Sequence, residues 1–221
     1  MYTLSLLSII DSYPRAAPIL PSCRMRNNYS KSKTKENILE DAEIERIKSA
    51  ASDSVRRFLV WTLLYTGMRI SEFIHMRDTW LQWNRSLIRI PESQDCSCSE
   101  CKIKKGGVWR PKNQQSARAI PIVPEIRQIL QEFFSQHASV MAVIPSRVHA
   151  YLILRSLSKR SRIKHKVFPH ALRGTFATVL AAKDFTIPEI AEALGWSSWK
   201  TAEIYVRLSA VRVKKAFEKK W

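Results

Sequence analysis

Acidic residues are scarce in this chain of 221 residues. Asp and Glu total 19 against 37 Lys and Arg, which gives a formal net charge of +18 at pH 7. A well-solvated surface does not need such an excess of one sign, and the repulsion between like charges opposes compact folding. The balance therefore favours a polyanionic partner, with nucleic acid first and a membrane surface second. No long basic amphipathic helix is evident, which argues against the membrane surface.

The chain also lacks an apolar run long enough to cross a bilayer. A short apolar stretch lies within the first 20 residues, but no basic region precedes it as in a signal peptide. Only four cysteines occur, and three of them crowd into the segment CSCSEC, which is unlike a disulfide framework. We therefore expect an intracellular protein with no membrane partner.

Two regions of different composition divide the chain. Residues 1–35 contain three prolines and much of a polar run, and we expect a poorly ordered arm or linker there. Residues 36–221 are long enough for one substantial domain and have a globular pattern. The apolar spacing predicts helices at 40–51, 55–67, 69–76, 124–136, 146–162, 170–183, 187–194, 199–206 and 209–220.

Strand patterns are confined to the middle of the chain. WLQWN and SLIRI alternate around Asn84 and Arg85, which predicts a β-hairpin. VWRPK and RAIPI predict a second pair of strands around the turn NQQSA. The predicted fold class is therefore α+β and mainly α, with helices around a small antiparallel sheet.

Two stretches in the first half of this domain hold polar residues at positions that suggest a site. In YTGMRISEF, Arg69 follows a glycine that caps a helix, and Glu72 lies one helical turn later. In WRPKNQQSARAIPI, Lys112 stands at the mouth of a tight turn. Arg69 is flanked by apolar helical residues, where an unpaired charge is costly.

Two further stretches lie near the end of the chain. In PHALRGTFAT, His170 and Arg173 are three residues apart and share one helical face. In ALGWSSWKTAEIYVRL, Trp196 precedes Tyr205 by nine residues. Taken alone, each of these side chains has a structural explanation, and Tyr205 by itself is typical of a partly buried tyrosine.

Together, the four stretches resemble the signature of the tyrosine recombinase (integrase) family, Arg…Lys…His-x-x-Arg…His/Trp…Tyr. The resemblance covers roughly residues 36–215 and includes TG-x-R-x-x-E around the first arginine and LG-x-SS before the tyrosine. His-x-x-Arg alone has almost no specificity, whereas the ordered set at these spacings is specific. The matching residues are Arg69, Lys112, His170, Arg173, Trp196 and Tyr205.

The resemblance implies the tyrosine-recombinase catalytic-domain fold and a DNA strand transferase that cleaves and rejoins DNA through a 3′-phosphotyrosine. Tyr205 would be the nucleophile. Two arginines, Arg69 and Arg173, would clamp phosphate oxygens with permanently charged forks. Lys112 would protonate the leaving 5′-oxygen, although the neighbouring lysines at 102, 104 and 105 are alternatives.

The remaining members of the set would support this reaction. His170 would assist proton handling at the tyrosine or donate to a phosphate oxygen. Trp196 stands where many relatives carry histidine, and its indole N–H can only donate. Glu72 would orient Arg69. Such a reaction needs neither metal nor ATP, and its expected partners are double-stranded DNA attachment sites and three further copies of the chain in a homotetramer.

The chain departs from the family pattern in two ways. Many relatives carry a second histidine where this chain has Gly174, which predicts the loss of one contact and of some helix propensity. Relatives also carry a separate helical core-binding domain that thirty-odd residues cannot build, so we expect a naturally short protein or the C-terminal part of a split gene. The basic tail VRVKKAFEKKW, residues 211–221, would dock on a neighbouring subunit.

Three functional hypotheses stay open on the sequence. The first is a site-specific recombinase that integrates a virus or mobile element, or that resolves chromosomes. The second is a type IB topoisomerase-like enzyme, which the short chain and the LGWSS spacing disfavour. The third is a non-catalytic DNA-binding remnant of a split integrase, which the intact residue set disfavours.

The cysteine-rich insert is a separate candidate site. Cys98 and Cys101 have the C-x-x-C spacing of a zinc knuckle, and Cys96 lies beside them. Cys23 or His75 could supply a fourth ligand, since no second C-x-x-C exists. We expect either a structural zinc or free thiols in a surface loop. The insert resembles those of some archaeal relatives and would suggest an archaeal or archaeal-virus type.

Overall fold

The computed structural model describes residues 34–209 together with residues 217 and 218. Most of the regular structure in this part is helical, which confirms the predicted mainly helical α+β class. None of its helices combines the length and apolar composition needed to cross a membrane. The helices are α1 (Asp41–Ala50), α2 (Ser54–Thr66), α3 (Ile70–His75), α4 (Ser99–Lys105), α5 (Pro124–Gln136), α6 (Arg147–Arg160), α7 (Pro169–Ala182), α8 (Ile187–Leu194) and α9 (Trp199–Ser209).

The predictions for the two ends of the chain fall almost entirely on residues that the structure does not describe. The arm predicted at 1–35 lies outside the described residues except for the start of a short 3-10 helix, Thr34–Asn37. The helix predicted at 209–220 and the docking of the basic tail also lie almost wholly outside them.

Local sequence signals explain the ends of the helices that frame the site. The Asp53 carboxylate accepts a hydrogen bond from a first-turn N–H of α2 at 2.9 Å, and α2 ends at Gly67 with φ +56°. Thr186 and Glu189 form a reciprocal capping box at the start of α8. That helix ends at Gly195 with φ +60°, again in the left-handed region.

The strands form two small antiparallel sheets, ordered β1-β2-β5 and β3-β4. The predicted first hairpin is confirmed, with Leu81 opposite Ile88, and the buried side chains of Ile88 and Ile120 then pair β2 with β5. The strands are β1 (Leu81–Gln82), β2 (Leu87–Ile90), β3 (Gln94–Asp95), β4 (Val108–Trp109) and β5 (Arg118–Pro121).

The predicted pairing of VWRPK with RAIPI is wrong. β4 pairs with β3, with Gln94 opposite Trp109, while β5 pairs with β2. Pro111 has no N–H for a ladder, and residues 114–116 form a 3-10 turn, so β4 cannot continue toward β5. The short helix α4 between β3 and β4 is an element that the sequence pattern did not predict.

Packing around α2 and α7 fixes the positions of the helices that carry the predicted site residues. Phe58 of α2 stacks on Phe133 of α5 with ring centroids 3.7 Å apart. On the other side, α7 packs against both α2 and α9. Ala177 and Ala202 are fully buried, and their small side chains allow α7 and α9 to approach closely. The helix that carries Tyr205 is thereby held beside the helix that carries Arg173.

Replacing Gly67 by alanine is expected to lower the free energy of unfolding by about 2–4 kcal/mol, because left-handed strain and overpacking act together. A Cβ at Gly67 would lie 2.5 Å from side-chain carbons of Leu194 and Phe176. Gly106 offers a matched control, since it has φ +59° but nothing within 4 Å of the added carbon. Gly106→Ala should therefore cost only about 1 kcal/mol. Urea unfolding of both variants measures the difference, and equal losses would contradict the packing argument.

Candidate active site

Arg69 is fixed at the start of α3 by backbone and side-chain bonds. Its N–H donates to a carboxylate oxygen of Glu72 at 2.9 Å, because the αL turn at Gly67 delivers the chain to this position. Its guanidinium donates to the other Glu72 oxygen at 2.9 Å, to Ser116 Oγ at 2.7 Å and to the carbonyl of Gly195 at 2.8 Å. These four bonds leave the Arg69 side chain 14% exposed and with a single orientation.

Arg173 projects from α7 into the same region and is only 4% exposed. Its two terminal nitrogens donate to the carbonyls of Gly67 and Leu194. These carbonyls terminate α2 and α8, where unpaired C=O groups carry partial negative charge. Two helix ends therefore hold a buried cation without neutralising its charge.

Both arginines keep hydrogen-bonding capacity. A guanidinium has five N–H donors. Among the described residues, Arg69 uses three of them and Arg173 uses two. The remaining donors can bind the oxygens of one anion in a fork geometry, which is the arrangement that phosphate recognition requires.

A third arginine, Arg118, completes the cluster and was not predicted from the sequence. Its side chain is 6% exposed, donates to the carbonyl of Ala193 at 2.8 Å and reaches Glu72 at 3.3 Å. The chain has 37 lysines and arginines, so nothing in the sequence distinguishes Arg118 from the other cations. The available signal was the alternation in RAIPI, which puts Arg118 on the same strand face as Ile120. Ser116, which is fully buried, carried no such signal.

The charge balance of this cluster favours an anion. Burial alone would raise the pKa of Glu72, but the charge of Arg118 and the bonds from Arg69 hold it below its ordinary value, so Glu72 is ionised. Burial and the charges of Arg69 and Arg118 lower the pKa of Arg173. In the described residues, three arginines thus surround one carboxylate, and a bound anion relieves the repulsion among them.

Tyr205 and Trp196 extend the cluster through a stack of flat groups. The Arg173 guanidinium lies 5.4 Å from the ring centroid of Trp196, which in turn stacks on Tyr205 at 5.3 Å and 16°. Tyr205 is 8% exposed. Burial raises its pKa and Arg173 opposes that change, so the hydroxyl is protonated at neutral pH. It therefore needs a proton acceptor before it can act as a nucleophile.

Gly174 also has a role that the sequence did not suggest. A Cβ at this position would lie 3.1 Å from Tyr205 Cε1 and 3.4 Å from Tyr205 Oη. The absence of a side chain therefore lets the tyrosine ring lie directly on α7, next to Arg173. The lost contact predicted from the sequence stays a prediction, and the close approach is a separate feature of this position.

Lys112 and His170 lie at an open cleft of about 640 Å³ that leads to Arg69 and Glu72. Lys112, in the loop after β4, is exposed, and His170, in the first turn of α7, reaches solvent although neighbouring atoms partly desolvate its imidazole. Lys104 and Lys105 line the same cleft, so the alternatives to Lys112 persist. The other basic side chains of its wall are Arg110 and Arg147.

The structure thus brings all seven predicted side chains into two adjoining sets. Arg69, Glu72, Lys112 and His170 share the cleft, while Arg173, Trp196 and Tyr205 form the stack next to it. His170 and Arg173 lie three residues apart on α7 and so share one face of that helix, which joins the two sets. The predicted cysteines lie elsewhere, beside His75 at the opposite end of α3 from Arg69.

Gly174→Ala is expected to slow any reaction at the Tyr205 oxygen about tenfold, because even a few tenths of an ångström of ring displacement misaligns a reacting oxygen. Helix propensity gains up to about 1 kcal/mol, which offsets the crowding, so the unfolding free energy should change little. The measurement is the single-turnover rate of that reaction alongside urea unfolding. Ala182→Gly, at an exposed position near the end of α7, is the opposite case and should lose stability at an unchanged rate. An unchanged rate in Gly174→Ala would contradict the close approach.

The pKa of His170 in the free chain is expected below its usual value of 6.5, because desolvation and the charges of Arg173, Arg69 and Lys112 disfavour the cation. The unfolded chain then binds more protons, so stability falls as the pH drops from 6.5 toward the folded-state pKa. Added sulfate should raise the pKa, since an anion offsets the cations. NMR titration of labelled histidines, with His170→Gln for assignment, measures the pKa of His170 with and without sulfate. A pKa that sulfate leaves unchanged would argue against an anion site here.

Known proteins resemble this chain in sequence. The sequence model of the phage integrase family matches residues 37–212. A tyrosine recombinase of Pseudothermotoga lettingae is 25% identical over 215 residues, covering 93% of this chain and 65% of the relative. The tyrosine recombinase XerA of Pyrococcus furiosus is 26% identical over 206 residues, covering 89% of this chain and 65% of XerA.

Solved structures share the fold. A crystal structure of XerA recombinase superimposes with a TM-score of 0.66 at 22% identity, over 82% of this chain and 64% of that one. The Tn1549 transposon integrase, solved in complex with transposon right end DNA, gives 0.64 at 20% identity, over 81% of this chain and 65% of the other. The chain thus spans about 65% of the length of the curated relatives above. With a family match across most of its length, and with the fold of these recombinases, the chain belongs to the phage integrase family.

Proposed function

We propose that this protein is a site-specific DNA recombinase that cuts and rejoins one strand at a time through a 3′-phosphotyrosine on Tyr205. The observation that carries the proposal is the stack of three side chains, in which Trp196 contacts Arg173 on one side and Tyr205 on the other. It puts a phenol beside a buried, incompletely neutralised guanidinium, which is where a phosphate would bind. The names of the relatives and the DNA in the Tn1549 integrase structure support the same substrate.

Two arginines stabilise the charge that develops during attack. A phosphodiester is anionic, and its five-coordinate transition state spreads further charge over the equatorial oxygens. Arg69 and Arg173 are fixed by carbonyls and Glu72 before any ligand arrives, so little reorganisation is needed. Arg118 keeps Glu72 ionised and adds to the positive potential.

The chemical step balances without a cofactor. The Tyr205 oxygen forms a bond to phosphorus as the bond from phosphorus to the 5′-oxygen breaks. Lys112 gives the leaving oxygen its proton, and His170 helps to accept the proton from the phenol or donates to a phosphate oxygen. Trp196 packs on Tyr205, and its indole N–H donates to a phosphate oxygen. Since the ester retains the bond energy, a 5′-hydroxyl from another strand can reverse the step with neither metal nor ATP.

DNA binding follows from the basic cleft. Lysine and arginine side chains from α4, α6 and the loop after β4 line it, so affinity should fall steeply with salt. Exchange of strands between two duplexes requires four active sites, and we propose a homotetramer on the paired sites. Integration of a virus or mobile element in the cytoplasm or nucleoid of the host is the favoured use, ahead of chromosome resolution.

A nicked suicide substrate carrying the element's own attachment site tests the proposal. After cleavage the short strand diffuses away, so a protein–DNA adduct survives denaturing electrophoresis. Tight binding without an adduct would instead favour a non-catalytic DNA-binding protein. Relaxation of supercoiled plasmid that lacks any attachment site would favour a type IB topoisomerase-like activity.

A further inference from the structure

Three cysteines and one histidine converge at the C-terminal end of α3. The ligand atoms of His75, Cys96, Cys98 and Cys101 all lie within 4.8 Å of one another. Cys96, Cys101 and His75 are buried, and Cys98 is half-buried. Of the two candidates for a fourth ligand, His75 belongs to this cluster, whereas Cys23 lies outside the described residues.

The distances in the cluster match those around a tetrahedral ion. Zinc bonds of about 2.3 Å to sulfur and about 2.0–2.1 Å to nitrogen place the two ligand atoms about 3.6 Å apart. The Nε2 atom of His75 lies 3.5 Å from the Cys101 sulfur and 3.8 Å from the Cys98 sulfur. Three soft sulfur ligands with one imidazole are a donor set that suits zinc in structural sites.

Hydrogen bonds and ring packing around the cluster orient the ligands. The other ring nitrogen of His75, Nδ1, lies 2.8 Å from the carbonyl of Ser71, so it carries the proton and Nε2 faces the sulfurs. The ring also stacks on Trp109 at 5.1 Å. The backbone N–H of Cys101 donates to the Cys98 sulfur at 3.3 Å, within the first turn of α4.

The insert is too small to be stable by itself. It consists of the two-residue strands β3 and β4 and the seven-residue helix α4, whereas isolated helices of this length and two-stranded ribbons are marginal in water. A metal that joins Cys96, Cys98 and Cys101 to His75 would fasten the insert to α3. Metal binding commonly supplies the folding free energy of such small units.

We propose that His75, Cys96, Cys98 and Cys101 bind one structural zinc ion that fastens the basic insert to α3. The helix so held carries Lys104 and Lys105, and Lys112 follows β4. The ion therefore fixes the wall of the cleft without touching it. This consequence for DNA rests on the proposed function, whereas metal binding itself does not.

Metal content of the full-length chain, purified without added metal, tests the site. About one zinc per chain is expected by elemental analysis, and Cys101→Ser and His75→Ala should each reduce it below about a tenth. Cys23→Ser is the matched control and should retain the full amount. No metal in the wild-type chain, or loss of metal in Cys23→Ser with retention in His75→Ala, would overturn the proposal.

Cobalt substitution keeps the test decisive if the ligand variants fail to fold. Co²⁺ in the wild-type chain should give the intense visible bands of a tetrahedral site and a sulfur-to-cobalt charge-transfer band. His75→Cys should still bind one ion and shift the visible bands to lower energy, because a thiolate replaces the imidazole. Weak octahedral bands, or a disulfide among the three cysteines with no bound cobalt, would overturn the proposal. No DNA is present, so this result is independent of any failure to cleave DNA.

Discussion

Tyr205→Phe is expected to abolish the covalent DNA adduct, with a loss of at least about 10⁴-fold, the scale on which enzymes fail when a nucleophile is removed. The phenylalanine ring can keep the stack on Trp196, because only the hydroxyl is lost. DNA affinity should therefore change less than about twofold, and the unfolding free energy by about 1 kcal/mol or less. Adduct yield on a suicide substrate, DNA binding and urea unfolding, measured together, separate a chemical defect from a structural one.

Tyr151→Phe is the matched control for this experiment. Tyr151 lies on α6 with 36% of its surface exposed, and the same hydroxyl is removed there. Its adduct yield should equal that of the wild type. Adduct formation by Tyr205→Phe would contradict the assignment of the nucleophile, whatever the behaviour of the control.

Arg173→Lys is expected to slow cleavage about 10²–10³-fold, the usual cost of removing one preorganised donor at a developing oxyanion. Lysine keeps the charge, but a single ammonium cannot span the carbonyls of Gly67 and Leu194 and also reach a phosphate. A carbonyl left without its donor also costs about 1–3 kcal/mol of stability. Single-turnover cleavage at saturating DNA, with urea unfolding, measures the two effects.

Arg110→Gln is the appropriate control for Arg173→Lys. Arg110 is exposed and lines the cleft, so it can contact DNA without belonging to the buried cluster. Its removal should weaken binding and reduce the slope of log affinity against log salt by about one, with the cleavage rate at saturation unchanged. A full cleavage rate in Arg173→Lys would mean that the guanidinium fork contributes nothing beyond its charge.

Local sequence determined much of the helical framework. The predicted helix at 187–194 matches α8 at both ends, because a capping box begins it and a glycine in the left-handed region ends it. The prediction at 124–136 matches α5 for a similar reason, since Pro124 begins that helix. Where the ends of an element depend on neighbours in sequence, the sequence suffices to place them.

Three features that depend on residues distant in sequence were not predicted. β5 pairs with β2 because the side chains of Ile88 and Ile120 are buried together. No turn sequence between the two strands indicates this pairing. Arg118 gains its place from the carbonyl of Ala193, 75 residues away. Gly174 is explained by the ring of Tyr205, which the intervening helix α8 brings back against α7.

Peptide mapping of the covalent adduct is the most direct test of the central claim. After nuclease trimming and trypsin digestion, mass spectrometry should find a nucleotide 3′-phosphate on the peptide 201–207, with the added mass on Tyr205. Trypsin cuts after Lys200 and Arg207, so this peptide contains no other tyrosine. The same mass on a peptide that carries another tyrosine, or on a serine of any peptide, would contradict the mechanism proposed for this chain.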